Sequence, residues 1–413
     1  MKTTIVLIKQ LIVLMLYGLS FLVPRHRRIW VFGSREGLRY NDNSRHVFEY
    51  VCKKIPSIRA VWLTRIPDIV EDLRRAGRES YLVDSWQAYW LSCRAGIVIA
   101  SHHKIDICYY AISRAIKINL WHGCPLKKIF LDWPDSNAIN YLFHPEIPFY
   151  RIDLKTNQIV DKLRIGLKWD NLISTSPVFS KRMASGFGVD IHNVRITGYP
   201  RNDMLLHKDI KRLPFIDSLK ARLKADKIIL YAPTWRKDDQ EQIRLFDTFD
   251  WERVSSFLRQ HNTLLITKMH FMNREVYHDL HPDEVSYIYW LNEEDCPEFN
   301  YLLPYADVLI TDFSGAYFDY LLLDRPIIFT PFDLDEYVTE WGFYENYNEA
   351  TPGPKCFTWG EVMERLQEIL SGDDQYKELR KLALKKYHTF ADDNSCRRVA
   401  DYAMELARKR KLF

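Results

Sequence analysis

At 413 residues the chain is long enough for two or three domains with full apolar cores, needing neither disulfides nor structural metals. Its seven cysteines are scattered, an odd number with no CxxC pair and no zinc-ligand spacing, which sets aside a disulfide scaffold or zinc module and points to a reducing compartment. A net charge of +4 does not argue for nucleic acid, while 12 tryptophans and 24 tyrosines suit a carbohydrate-facing or membrane-facing surface.

The run Ile5 to Val23 is mostly apolar, interrupted by Lys9-Gln10 and Gly18 and stopped by Pro24, and Arg25-His26-Arg27-Arg28 follows directly. A signal peptide carries its charge before the apolar run, not after it. Three readings are left: a spanning helix of the ~20 residues a bilayer needs, a helix lying in the interface with Lys9 and the basic cluster on anionic headgroups, or a buried core helix. Either membrane reading keeps the following domain on the cytoplasmic side. Residues 1–24 are expected to associate with the membrane.

Beyond Pro24, short apolar runs alternate with helical segments. Arg28 to Gly33, Ala60 to Thr64, Tyr81 to Val83, Ile97 to Ala100, Ile116 to Trp121, Asn171 to Thr175 and Val194 to Gly198 read as strands. Ser44 to Lys53, Ile69 to Ala76 and Pro177 to Phe187 read as helices between them. Residues 128–167 are less periodic and rich in aromatic residues and proline, an expected insertion or acceptor-facing lobe. A polar stretch from His207 to Lys227 holds the linker, and the rhythm resumes with strands at Lys227 to Ala232, Leu264 to Lys268, near Tyr287 to Tyr289, Val308 to Thr311 and Ile327 to Thr330. Such alternation predicts an α/β fold of two doubly wound, Rossmann-like parallel domains facing a cleft, at 25–210 and 211–413, the second closed by the basic amphipathic helix Ser395 to Arg410.

Four turns after strands carry functional side chains. In Trp121-His122-Gly123-Cys124-Pro125 a tight turn aims an imidazole outwards, either to take a proton from a hydroxyl or to bond a loop carbonyl. In Tyr231-Ala-Pro-Thr-Trp-Arg236, Thr234 and Arg236 offer a hydroxyl and a guanidinium to phosphate oxygens. Lys268-Met-His270 ends another strand. Thr311-Asp312-Phe313-Ser314 opens a helix whose free amides suit an anion. Strand carboxyl ends of open parallel sheets are where ligands bind. No Walker loop, dinucleotide GxGxxG, HExxH, GxSxG or kinase signature is present, which sets aside P-loop NTPases, nicotinamide dehydrogenases, zincins, serine hydrolases and protein kinases.

Together WHGCPLKKI, ISTSPVFSKRM with GYPRND, ILYAPTWR, Lys-Met-His and ADVLITDFSGAYFDYLLLDRPIIF resemble the CDP-glycerol glycerophosphotransferases of teichoic-acid synthesis, in order from about Pro24 to Tyr347, with PRHRRIWVFGS and the Asp-Asn-Ser box at Asp42 to Ser44. The resemblance implies a GT-B fold, peripheral attachment to the inner face of the cytoplasmic membrane, CDP-glycerol as donor and a lipid-linked acceptor. No cofactor is implied, and dependence on a divalent cation stays open. His122 maps onto the family's base and His270 onto its donor-phosphate ligand. Gly123, Lys127, Arg201, Asn202, Asp203, Thr234, Arg236, Thr311, Asp312 and Ser314 fall at its substrate-binding motifs. Cys124, Phe271 and Gly315 depart from the family's usual Thr, Pro and Ser. A CDP-ribitol transferase of the same family, a GT-B glycosyltransferase using a nucleotide sugar, and a non-enzymatic glycan binder are the competing functions.

Overall fold

The computed structural model describes residues 12–13, 15–134, 169–207, 212–236, 244–269, 287–292, 294–296 and 298–410. The chain divides into two units, one comprising Met1–His122, Ile129–Asp203 and Asp392–Phe413, the other Gly123–Lys128 and Met204–Ala391.

In the first unit, β1 (His26–Gly33), β2 (Arg59–Thr64), β3 (Ser80–Leu82), β4 (Ala95–Ala100), β5 (Ile116–Asn119), β6 (Asn171–Ser174) and β7 (Val194–Ile196) form a parallel sheet in the order β3-β2-β1-β4-β5-β6-β7. In β1, Trp30-Val31-Phe32 are fully buried, as a parallel strand covered on both faces requires. The register sets Val31 beside Val61 and Val98. The helix Asp42–Lys54 lays Phe48 on this layer, its ring 5.4 Å from Phe32 and 5.5 Å from Trp62. The order runs outward in both directions from the β1–β4 pair. Successive connections therefore leave the sheet on opposite sides there, the topological switch at which such sheets bind ligands.

In the second unit, β8 (Lys227–Tyr231), β9 (Thr263–Thr267), β10 (Ile288–Trp290), β11 (Val308–Thr311) and β12 (Ile327–Phe329) are parallel in the order β10-β9-β8-β11-β12. Its core gathers Tyr231, Phe246, Phe249 and Trp359 beside Ile310 and Ile328. The Trp359 indole is satisfied by donating to Leu245 O at 2.9 Å.

Two expectations are corrected, and one falls largely outside the described residues. The terminal helix Ser395–Lys409, assigned to the second domain, packs in the first unit: Tyr402 Oη donates to Asn171 Oδ1 at 2.9 Å and Arg195 pairs with Glu405 at 2.7 Å. An amphipathic stripe demands a partner but does not name one; here the stripe of Val399, Ala400, Ala403 and Ala407 is buried in that unit. Of the segment 1–24 expected to associate with the membrane, residues 1–11 and 14 lie outside the described residues, and no helix among the described residues is long and apolar enough to cross a membrane. Residues 15–20 are helical, with Tyr17 and Ser20 buried and Ser20 Oγ 2.7 Å from Ser113 Oγ. Finally, Arg25 is not presented to headgroups. Its Nη1 donates to Ser92 O and Ala111 O and its Nη2 to Ser113 Oγ, and burial pulls the guanidinium down to about 10. His26, Arg27 and Arg28 are exposed.

Candidate active site

In the first unit the site is built where β4, β5 and the start of the helix Asp42–Lys54 meet. Beyond β5 the chain turns sharply, with Trp121 at φ +53°, a strained value for a bulky residue, and Gly123 at φ +152°. The turn is over-determined by side chains. Asn119 Oδ1 accepts from Trp121 N at 2.7 Å, while Asn43 Nδ2 donates to the carbonyls of Leu120 and Trp121 at 3.3 and 2.8 Å. Asn43 Oδ1 accepts from Arg201 N at 3.0 Å. Arg201 Nη1 then reaches His122 O at 2.7 Å and Asp42 Oδ1 at 3.3 Å. The Asp-Asn-Ser box is thus the bracket that holds the His122 turn, with Ser44 fixed by Ser101 Oγ at 2.7 Å.

His122 is kept neutral. Burial, then the positive charges of Arg35 and Arg201 and the neighbouring His103, hold its pKa well below the ordinary histidine value, against a bond to the Ser101 backbone that favours the proton. That bond engages one ring nitrogen, and the bonding pattern leaves Nδ1 without a partner among the described residues. A neutral imidazole with an unengaged lone pair is the form a general base needs.

In the second unit the turn after β11 is organised by Asp312, which is fully buried. Its Oδ1 accepts from Thr234 N (2.7 Å), Thr234 Oγ1 (2.6 Å) and Phe313 N (2.6 Å), and its Oδ2 pairs with Arg236 Nη2 at 2.8 Å. Asp333 takes Arg236 Nε and Nη2 at 2.6 and 2.8 Å. Arg236 is only 3% exposed; burial opposes its charge, yet the two carboxylates more than offset this and raise its pKa. Thr311 Oγ1 donates to Ala232 O at 2.7 Å. The α-helix after this turn is short, Ala316–Tyr320, so the opening amides and not a long helix dipole would face a ligand. Ser314 Oγ accepts from Ala316 N at 3.2 Å.

The segment Gly123–Lys128 belongs to this second unit. Lys127 Nζ donates to Tyr337 Oη at 2.7 Å and lies 4.8 Å over the Trp341 ring. Burial pulls it down to about 8, partly countered by Asp312. Gly315 has a local reason: a Cβ there would lie 2.5 Å from the Cys124 carbonyl oxygen. The two departures Cys124 and Gly315 are therefore neighbours, the missing side chain of one admitting the main chain of the other.

The structure thus brings His122 and Arg201 together in one unit, and Lys127, Thr234, Arg236, Thr311, Asp312 and Ser314 in the other. Asn202 is buried in the turn Pro200–Asn202. Asp203 is engaged elsewhere in the first unit, accepting from Ser395 N and Cys396 N at 2.8 Å each, the first amides of the terminal helix. His270 and Phe271 lie outside the described residues. Among the described residues, no group of three or more His, Cys, Asp or Glu is arranged to hold a metal. Asp42, Asn43 and His102 escaped assignment from sequence, although the Asp-Asn-Ser box and the Ser-His-His run after β4 were visible.

Residues 15–405 match the model of the family described as CDP-Glycerol:Poly(glycerophosphate) glycerophosphotransferase. The chain belongs to this family. The transferase is 28% identical over 383 residues to the teichoic acid glycerol-phosphate transferase of Staphylococcus aureus (strain NCTC 8325 / PS 47), covering 91% of this chain and 92% of that protein. It is also 28% identical over 371 residues to the teichoic acid poly(glycerol phosphate) polymerase of Bacillus subtilis (strain 168), covering 87% of this chain but 46% of that protein, about half its length. Among solved structures it is similar to the wall teichoic acid polymerase TagF, with a TM-score of 0.73 at 23% identity over 96% of this chain and 93% of that one. A more distant likeness, TM-score 0.56 at 13% identity over 93% and 97%, is to S. aureus MnaA in its UDP co-structure. These structural likenesses establish the α/β fold with parallel sheets.

Proposed function

We propose that this transferase moves glycerol phosphate from CDP-glycerol to a hydroxyl of a lipid-linked glycan or polyol-phosphate acceptor, in the manner of a GT-B enzyme at the cytoplasmic face of the membrane. The observation that carries the reading is His122, neutral, braced at its carbonyl by Arg201 and with Nδ1 unengaged. In the reaction the acceptor oxygen attacks the glycerol-bearing β-phosphorus and forms the new P–O bond. The bond to the bridging oxygen breaks, its electron pair leaves with CMP, and the acceptor proton passes to His122.

The second unit supplies the donor grip. Lys127, Ser314 and the amides after β11 meet the diphosphate, joined by His270 as the family resemblance implies. Arg236 and Asp312 hold that turn in shape, so the donors do not reorganise as charge develops. Membrane attachment falls to the exposed apolar side chains Ile12, Met15, Leu19, Phe21 and Leu22, followed in the chain by the exposed Arg27 and Arg28, on an anionic surface.

The test is His122→Ala in the purified full chain. CMP release in the presence of acceptor is expected to be lost, with CDP-glycerol binding by calorimetry retained. Release at the wild-type rate would overturn the assignment. A donor panel of CDP-glycerol, CDP-ribitol and a UDP-sugar, scored by the nucleotide released, decides between the donors, and turnover of none would leave a glycan binder.

A further inference from the structure

We propose that His102 is the positioning residue of the catalytic base, an inference that rests on His122 being the proton acceptor. His102 follows β4 and is 7% exposed. Its ring lies flat on that of His122, with centroids 4.3 Å apart and planes 3° from parallel. A buried imidazole normally has at least one nitrogen bonded, because an unsatisfied polar group costs ~1–3 kcal/mol. Neither Nδ1 nor Nε2 of His102 has a hydrogen-bond partner among the described residues. Both nonetheless face carboxylates: Nε2 lies 3.8 Å from Asp42 Oδ2 and Nδ1 lies 4.0 Å from Asp106 Oδ2. These gaps exceed a hydrogen bond by about 1 Å, the looseness common in catalytic networks before substrates tighten them.

The contacts close into a circuit. Asp42 holds Arg201, Arg201 holds the His122 carbonyl, the His122 ring lies on His102, and His102 faces Asp42 again. His122 is therefore gripped at its main chain by Arg201, at one ring nitrogen by the Ser101 backbone and at its ring face by His102. Stacked rings point their nitrogens outward in plane, so no proton passes from one to the other. The charged and titratable groups around the pair are Asp42, Asp106, Arg35, Arg201 and His103. A proton on His122 opposes a second on His102, so His102 stays neutral while its Nε2–H closes onto Asp42. Without that link the ring face of the base is no longer fixed, the Ser101 bond alone leaving the imidazole free to tilt, and an error of ~1 Å at a reacting group costs up to about 100-fold.

The experiment uses the full chain with CDP-glycerol and detergent-solubilised lipid-linked glycan. It compares wild type, His102→Phe and His102→Gln for kcat, donor KM and the pH dependence of kcat/KM. His102→Phe keeps an aromatic face but cannot reach Asp42. Its kcat is expected to fall about 10- to 100-fold with donor KM little changed. Its acid limb should move to higher pH, because the Asp42 carboxylate, still held by Arg201 but no longer faced by His102, then favours a proton on His122 more strongly. His102→Gln, whose amide reaches Asp42, should recover part of the rate. A His102→Phe enzyme with wild-type kcat and an unmoved acid limb overturns the inference. Ring-nitrogen NMR of the wild-type enzyme tests it without substitution: His102 should remain neutral while His122 titrates, and the reverse order also overturns it. The two readings fail separately. Undiminished CMP release by His122→Ala removes the base itself; an inactive His122→Ala beside a wild-type-like His102→Phe removes only the role given to His102.

Discussion

A single side chain, Lys127, carries a pH signature that its sequence position does not reveal. A lysine in an exposed loop stays charged to well above pH 9, but burial against Tyr337 and Trp341 brings this one down to about 8. Below that pH the ammonium is present and attracts a diphosphate; above it the proton leaves and the attraction goes with it. Affinity for CDP-glycerol is therefore expected to weaken as pH rises through about 8. Donor binding itself raises the Lys127 pKa, so the loss is steepest above that point. Calorimetric titrations from pH 6.5 to 9.5 measure this, and Lys127→Arg should flatten the curve because a guanidinium does not titrate there. A curve of unchanged steepness in the arginine variant would place the titrating group elsewhere. Arg236 teaches a related lesson. A guanidinium past a strand end reads as an anion ligand, but two carboxylates distant in sequence, at 312 and 333, already hold it.

At the scale of elements, the strands were legible because parallel strands buried on both faces are written as continuous apolar runs. Val31, Val61, Val98 and Ile310 sit where such runs predict. The helix starts were less so. The helix expected from Ser44 begins at Asp42, which places Asn43 in the first turn to reach the His122 loop. Asp203 is the clearest case of a side chain whose structural partner the sequence does not name. In Gly-Tyr-Pro-Arg-Asn-Asp it looks like a ligand-facing acid, yet it serves as the cap for a helix nearly two hundred residues later, taking two amides that would otherwise be unsatisfied. Asp203→Ala should lower unfolding stability by roughly 1–2 kcal/mol, in line with the loss of other caps. Donor KM should be unaffected. A large rise in donor KM without a drop in stability would return Asp203 to the binding site.

For the whole molecule, two parallel sheets follow from the βα rhythm, but the destination of the last helix and of the first does not, because periodicity states that a face is apolar without saying what covers it. The first helical segment buries Tyr17 and Ser20 while Met15, Leu19 and Leu22 stay exposed, Leu22 at 79%. The helix Trp86–Arg94 joins it through Tyr89 Oη, which donates to Leu16 O at 3.0 Å, and exposes Trp86 at 68%. On the proposed membrane-facing reading, tryptophan and leucine side chains exposed to water carry a cost that a bilayer interface would relieve, with the exposed Arg27 and Arg28 following Leu22 in the chain. Removing part of that apolar area should weaken attachment, each ~1.4 kcal/mol lost being a tenfold drop in partitioning. Trp86→Ser with Leu22→Ser is thus expected to cut co-sedimentation with phosphatidylglycerol vesicles about tenfold or more. CDP-glycerol binding in solution should be unchanged, because neither residue is among the proposed donor-binding groups. Raising salt should release the wild-type protein further, since the basic contribution is screened over about 10 Å at 0.1 M. Equal sedimentation of the variant and the wild type at both salt levels would show that the bilayer is met by another part of the chain.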